Sequence, residues 1–425
     1  MLYFAEGSAT TSFTTEDLRR ILADVFRRIG PRHKVLALPP DFTRFHSQAG
    51  LITCLAREHY GDALTDIMPA LGTHSPMTEE QIDTMFPGIP HSLFRVHDWR
   101  NDVVELGRVP AEFIRKVSGG AVDYDWPAQV NRMLRDGGHD LILSIGQVVP
   151  HEVIGMANYN KNIFVGTGGF EGINKSHFIG AAYGMERIMG RANNPVRAVF
   201  NYASRNFAAS LPLLYIETVM ANDPATGRLA MRGLFVGDDE ECFERAADLS
   251  LEVNFQMLPE PLDNVVVYLD PSEFKSTWLG NKAIYRTRMA LADNATLTIL
   301  APGLREFGED RTIDGLIRRY GYKGTPATLK AVRENEDLAG ALGTAAHLIH
   351  GSSEGRFRIV YCPGHLTREE IERAGFEYGD LDETMRRYDP AMLKDGFNTL
   401  ADGERVFYIS NPALGLWATR KAFEG

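Results

Sequence analysis

VLALPPDFTRFHSQAGLITCLAREHYGDALTDIMPALGTH, residues 35–74, is the stretch whose reading decides the fold. Val35–Leu38 is a short apolar run stopped by Pro39-Pro40, which predicts a strand. Gln48–Tyr60 reads as a helix closed by Gly61. Leu64–Leu71 is a second apolar run of strand length. Just beyond it, Thr78-Glu79-Glu80-Gln81 has the spacing of a capping box, so a further helix begins there. Strand, helix and strand in this order predict a parallel βαβ unit. The alternation continues. Asn131–Asp136 is the end of a helix stopped by Gly137-Gly138, Asp140–Ile145 a third strand and Asn162–Val165 a fourth. Asn174–Met189 carries apolar or aromatic residues at helical spacing (Ile179, Ala182, Tyr183, Met185, Ile188).

The middle of the chain changes character. Leu213–Ala221 and Arg228–Val236 flank Asn222-Asp223-Pro224-Ala225-Thr226-Gly227 and predict an antiparallel hairpin. Glu240–Met257 reads as a helix, and Leu258-Pro259-Glu260-Pro261-Leu262 as a linker. Alternation then resumes, with strands at Val265–Leu269, Thr296–Leu300, Phe357–Tyr361 and Arg405–Ile409. The expected fold class is α/β: two α/β domains with mainly parallel sheets and the active site in the cleft between them. The expected domains are residues 1–260 and a smaller one at 261–400. It stays open whether residues 401–425 complete the second sheet or return to the first.

The 425 residues, 44% of them apolar, suffice for two cores. Lys plus Arg total 45 against 56 Asp plus Glu, for a net charge of −11. Such a chain is poorly suited to nucleic acid or anionic membranes, and an anionic substrate has to be held by local cations. No apolar run reaches membrane-span length, and the first residues lack a basic region followed by an apolar stretch. Cys54, Cys242 and Cys362 are far apart and show no CxxC spacing, which argues against a thiolate metal site and for a reducing, cytoplasmic setting.

In open parallel sheets, ligands bind outside the carboxyl ends of the strands. Asp41-Phe42-Thr43-Arg44 follows the first predicted strand, Gly72-Thr73-His74 the second and Pro150-His151 the third. Lys161 precedes the fourth, and Gly166-Thr167-Gly168-Gly169-Phe170-Glu171-Gly172 follows it. Singly, each has an ordinary reading: Asp41 and Arg44 as a loop ion pair, His74 as a solvated loop residue, His151 as a helix-entry residue. Lys161 is then an exposed lysine and His177 a residue packed against the sheet. Together, at consecutive strand ends, they point to chemistry. The glycine run lacks the GxGxxG and GK[ST] patterns, so Gly168 and Gly169 read either as a tight turn or as backbone able to approach a bound cofactor. HExxH and GxSxG are absent, which removes common zinc and serine hydrolase readings.

DFTR at 41–44, LGTHSPMTEE at 71–80, and His151 ten residues before Lys161 with His177 beyond resemble the nickel-pincer lactate racemase family. The likeness covers most of the first half and weakens beyond about residue 290. It implies a nickel-pincer nucleotide, a modified pyridinium mononucleotide holding nickel through two sulfurs and a ring carbon. Lys161 would be its covalent attachment point and His177 the metal ligand. His74 and His151 would be the paired bases, and Arg44, with Asp41 beside it, the substrate-carboxylate site. It also implies an isomerase of a small 2-hydroxy acid, a racemase or epimerase, served by cofactor-synthesis proteins. The residue types suit that chemistry. Sulfur and nitrogen in a square plane suit nickel. Removing hydride from C2 avoids a carbanion beside a carboxylate, and a histidine near neutrality can take the hydroxyl proton.

Departures are visible. The family's lysine segment is usually built of small residues and glycines, whereas here it reads Gly155-Met156-Ala157-Asn158-Tyr159-Asn160-Lys161, which predicts a different pocket. The family's second-domain tyrosine is matched by Tyr285, but the glutamine and lysine that follow it are not. Arg286 and Arg288 stand nearby and are the candidates for the cofactor phosphate, with a solvated helix face as the alternative. The rival functional readings are a relative that has lost nickel and binds another nucleotide or metal, and a non-catalytic anion- or nickel-binding protein.

Overall fold

Val35–Leu38 has four apolar side chains in a row, all of them fully buried. Such a run belongs to a strand covered on both faces. In the computed structural model, which describes residues 1–223 and 227–424, it is an interior strand of the first sheet, one in from the edge. In chain order the strands of the first part are β1 (Leu2–Gly7), β2 (Val35–Leu38), β3 (Leu64–Ile67), β4 (Val103–Val109), β5 (Trp126–Asn131), β6 (Leu141–Gln147), β7 (Pro150–His151), β8 (Gly155–Met156), β9 (Leu213–Asn222) and β10 (Leu229–Gly237). Six of them form one sheet in the order β1-β10-β9-β6-β2-β3. β3, β2, β6 and β9 run parallel, and the β9–β10 hairpin turns the far edge antiparallel, with β1 paired to β10. The hairpin residues Pro224-Ala225-Thr226 lie outside the described residues.

The chain divides into two compact units, Met1–Ile179 with Met189–Asn254, and Gly180–Ile188 with Phe255–Gly425. In the first, the helix Thr15–Ile29 opens on a capping box at Thr14 and buries Leu18, Leu22, Val25 and Phe26. With Ile52 and Ala56 of the helix Ala49–Tyr60 they cover β2, β3 and β6. The capping box read at Thr78 is present and starts the helix Glu79–Met85.

The second unit holds β11 (Phe255–Leu258), β12 (Leu262–Tyr268), β13 (Leu291–Ala301), β14 (Arg358–Pro363), β15 (Glu377–Tyr378), β16 (Gly396–Thr399), β17 (Arg405–Ile409) and β18 (Leu416–Thr419). Its main sheet has the order β15-β14-β13-β12-β17-β16, parallel except for the β16–β17 pair. β17 lies beside β12 and β18 pairs with β11, so residues 401–425 stay with the second sheet. The α/β class with mainly parallel sheets is as expected.

Two local expectations fail. Asn162–Gly166 is a turn of wide helix, not a strand. Its apolar run Ile163-Phe164-Val165 is buried on all sides, and periodicity cannot separate a buried strand from a buried helical turn at that length. Phe255–Leu258 does not extend the preceding helix but pairs with β18, a long-range partner that local spacing does not reveal. Among the described residues, no helix is long and apolar enough to cross a membrane.

Candidate active site

The strand order of the first sheet reverses at β2, which has β3 on one side and β6 on the other. That is a topological switch point, where strand ends splay and leave room for a ligand. Asp41 follows β2 and caps the turn Phe42–Ser47, with Oδ1 accepting the Thr43 backbone and hydroxyl hydrogens. Its Oδ2 lies 2.6 Å from His74 Nδ1. Burial pushes the Asp41 carboxyl up, but hydrogen bonding and charge from His74 and Thr43 outweigh it and hold it below the usual range. An ionised carboxylate only accepts, so His74 Nδ1 carries a hydrogen and Nε2 is the ring nitrogen left facing away from Asp41. The turn bringing His74 there needs Gly72, whose φ is +58° and whose N–H bonds the Gly166 carbonyl at 2.9 Å.

His151 is held differently. It lies in the miniature β7–β8 pairing and is 8% exposed. Its Nδ1 accepts the Val153 backbone N–H at 3.1 Å, and the Glu152 carboxylate stands 4.0 Å away. Burial lowers its pKa well below the ordinary value, and Lys161, Arg44 and His177 push the same way while Glu152 opposes. The ring is neutral, and with Nδ1 accepting, its hydrogen sits on Nε2.

Burial, and next the charge of Arg44, lowers the Lys161 pKa to about 8, with Glu152 acting in the opposite sense. His177 donates from Nδ1 to the Ile173 carbonyl at 2.7 Å, one helical turn back. Burial lowers its pKa to about 4, so Nε2 presents a lone pair at neutral pH. A histidine whose other nitrogen is tied to a backbone carbonyl is oriented as a metal ligand. Asp41, Arg44, His151, Lys161 and His177 therefore feel one another's charges in a single cluster, with His74 bonded to it through Asp41.

The glycine loop is shaped by packing. A Cβ on Gly168 would lie 2.0 Å from the Phe164 carbonyl oxygen, and one on Gly169 2.5 Å from Gln129 Oε1. Sequence reasoning missed the residue that pins this loop. His97 is buried, bonds the Gly168 carbonyl through Nε2 at 3.0 Å, and meets the Asn131 amide at Nδ1. It also passed over Glu152 as a member of the site, although its adjacency to His151 was a usable signal.

The residues that predicted a different pocket turn into the core. The Tyr159 ring stacks on Phe243 at 5.1 Å, Asn158 reaches Glu217, and Met156 is fully buried. In the second unit, Tyr285, Arg286 and Arg288 are all buried, which overturns the solvated helix face. Arg288, 1% exposed, donates to Glu186 Oε1 at 2.6 Å and to the His350 carbonyl at 3.3 Å. The Arg286 carbonyl accepts the Trp417 N–H of β18.

Residues 22–187 match the lactate racemase N-terminal domain family. A crystal structure of a protein from Thermotoga maritima is similar over 96% of this chain and 99% of that one, at 21% identity and a TM-score of 0.79. The lactate racemase apoprotein from Thermoanaerobacterium thermosaccharolyticum is similar over 96% of this chain and 93% of that one, at 16% identity and a TM-score of 0.68. No curated protein matches the chain. At such identities the structural likeness establishes the fold.

Proposed function

We propose, for a chain whose residues 22–187 match the lactate racemase N-terminal domain family, that the cluster at the ends of β2, β3 and β6 inverts C2 of a small 2-hydroxy acid. The observation that carries this reading is Lys161 and His177 enclosed beside His151, with burial depressing the pKa of all three. An anion-binding protein has no need of a lysine whose amine is partly neutral at physiological pH.

The residues fit a nickel-pincer nucleotide. The Lys161 amine is poised to be acylated, and His177 Nε2 offers one nitrogen to a metal. Among the described residues, no three His, Cys, Asp or Glu side chains are grouped to hold a metal. When bound, that cofactor supplies a hydride acceptor for the substrate C2 hydrogen.

The chain's own residues handle the rest. Arg44 can grip the substrate carboxylate through a two-point bond that lets the 2-oxo acid turn without leaving. His74 takes the hydroxyl proton at Nε2 while Asp41 fixes its tautomer. His151 stands at the other strand end and would serve the opposite hand as a second base, returning to the substrate oxygen only a proton that its ring has first taken up. Loss and return of one hydride and one proton leave no net oxidation.

The test is protein made together with the cofactor-synthesis proteins, assayed for nickel and for added mass, and screened against chiral 2-hydroxy acids including sugar acids. In heavy water the inverted product is expected to keep its original C2 hydrogen. Stoichiometric solvent deuterium at C2 in the first turnovers would mean direct deprotonation and end the hydride scheme.

A further inference from the structure

Asn158 and Tyr159, three and two residues before Lys161, have φ of +61° and +55°. Side chains with a Cβ disfavour this left-handed region, and two such residues in succession persist only where their surroundings over-determine them. Here they do. The Asn158 side-chain amide donates to Glu217 Oε2 at 2.7 Å, and the Tyr159 backbone N–H also bonds that carboxyl. Arg197, 2% exposed, donates to the Met156 carbonyl at 2.7 Å, to the Asn158 carbonyl at 3.4 Å and to the Asn160 side chain. Asn160 donates onward to Asn201 at 2.6 Å. The turn then closes with Lys161 N–H on the Asn158 carbonyl at 3.2 Å.

The sheet is cut to receive this arrangement. Gly146 of β6 is the cross-strand neighbour of Glu217 on β9, and a Cβ there would stand 2.8 Å from Asn158 Oδ1. Burial raises the Glu217 carboxyl to about 8, so at neutral pH it is mostly uncharged and serves as an acceptor for the amide. Its Oε1 has no partner among the described residues. Neither Glu217 nor Arg197 has a part in the proton or carboxylate handling described above.

We propose that Glu217 and Arg197 are positioning residues for Lys161. They lock residues 156–160 in a strained turn that carries the lysine amine in among Arg44, Glu152 and His151. The proposal rests on Lys161 being the working lysine of this site, but its test needs no nickel, cofactor or substrate, so the two can fail separately. The apoprotein is labelled with trace acetic anhydride across a pH series. Acetylation of Lys161 is then read by peptide mass spectrometry against exposed Lys116.

In the unaltered protein the Lys161 midpoint is expected near 8. In Glu217→Ala it should rise towards the ordinary lysine value of about 10.4 as the amine leaves its enclosure. Glu217→Gln, which keeps the acceptor, should restore the original midpoint. The direction matters, because loss of a nearby negative charge alone would lower the midpoint. A folded Glu217→Ala protein with an unchanged or lowered midpoint overturns the proposal. Should that variant not fold, Asn158→Ala cuts the same link at its other end, and an unchanged midpoint there overturns it equally.

Discussion

His74 and His151 end neighbouring regions of one sheet and are held in opposite ways. His74 has a side chain 59% exposed and leans on a buried aspartate, which fixes a hydrogen on its inner nitrogen and turns the outer one away from Asp41. His151 is enclosed, takes a backbone N–H at its inner nitrogen, and so presents a hydrogen on the outer one. The proposed inversion needs a base at one position and, at the other, a ring that has taken up a proton before it can return one to the substrate oxygen. Begun from the other hand it needs the reverse, which requires His151 to release Val153 N–H or turn its ring. The β2–β3 side carries the exposed ring, and the β6 side, with Lys161 and His177, is a dry compartment in which charge is expensive.

The largest expected effect falls on the dry side. Lys161→Ala should abolish both the added mass and the activity of holoprotein, while circular dichroism stays native. Added mass found on another lysine of active enzyme would remove Lys161 from the scheme. Next come the histidines. His74→Ala and His151→Ala should each cost racemisation about 10²- to 10⁴-fold. They should differ in a single-turnover assay of substrate oxidation. His74→Ala should block the hand whose hydroxyl it faces, and His151→Ala the other. Equal loss for both hands in either variant would show that the contrast between the two has no catalytic meaning.

Asp41→Asn should cost less, about 10- to 100-fold, because it leaves the His74 ring in place but no longer dictates which nitrogen holds the hydrogen. The loss should appear in kcat rather than KM, since Arg44, the proposed carboxylate partner, is left unaltered. A pure KM effect would move Asp41 into substrate binding.

Much of this contrast was legible from the chain alone, for a physical reason. Parallel strands place whatever follows them at one edge, so Asp41, His74 and His151 could be assembled from local runs. What escaped depends on pairings that no local pattern states. Asp41 looked like a partner for Arg44, three residues away, yet the bond that defines it runs to His74. Asn158 and Tyr159 looked like pocket residues because bulk in a lysine loop suggests lining. Their positive φ angles turn them into the core, where Glu217 waits on β9 and Phe243 on the helix Glu240–Asn254 after β10. Ile163-Phe164-Val165 looked like a strand because three buried apolar residues carry no period.

The smallest expected effect is a pH dependence, and it tests whether the dry side really governs Lys161. An amine attacks only when unprotonated, and this one has a pKa lowered to about 8 by burial and by Arg44. Its neutral fraction is about a tenth at pH 7 and a half at pH 8, so attachment should quicken about fivefold over that unit and level off above pH 9. An ordinary lysine would instead keep gaining about tenfold per unit through the same range. The sign can be set from either neighbour. Arg44→Ala removes a repelling cation, so the midpoint should rise and attachment at pH 7 should slow. Glu152→Gln removes an attracting anion, so the midpoint should fall and attachment at pH 7 should quicken. Opposite shifts in these two variants, read as the rate of mass gain at Lys161, would show that the amine is tuned by the charges around it. Parallel shifts would mean that enclosure alone sets its reactivity and that Glu152 stands in the cluster without acting on the lysine.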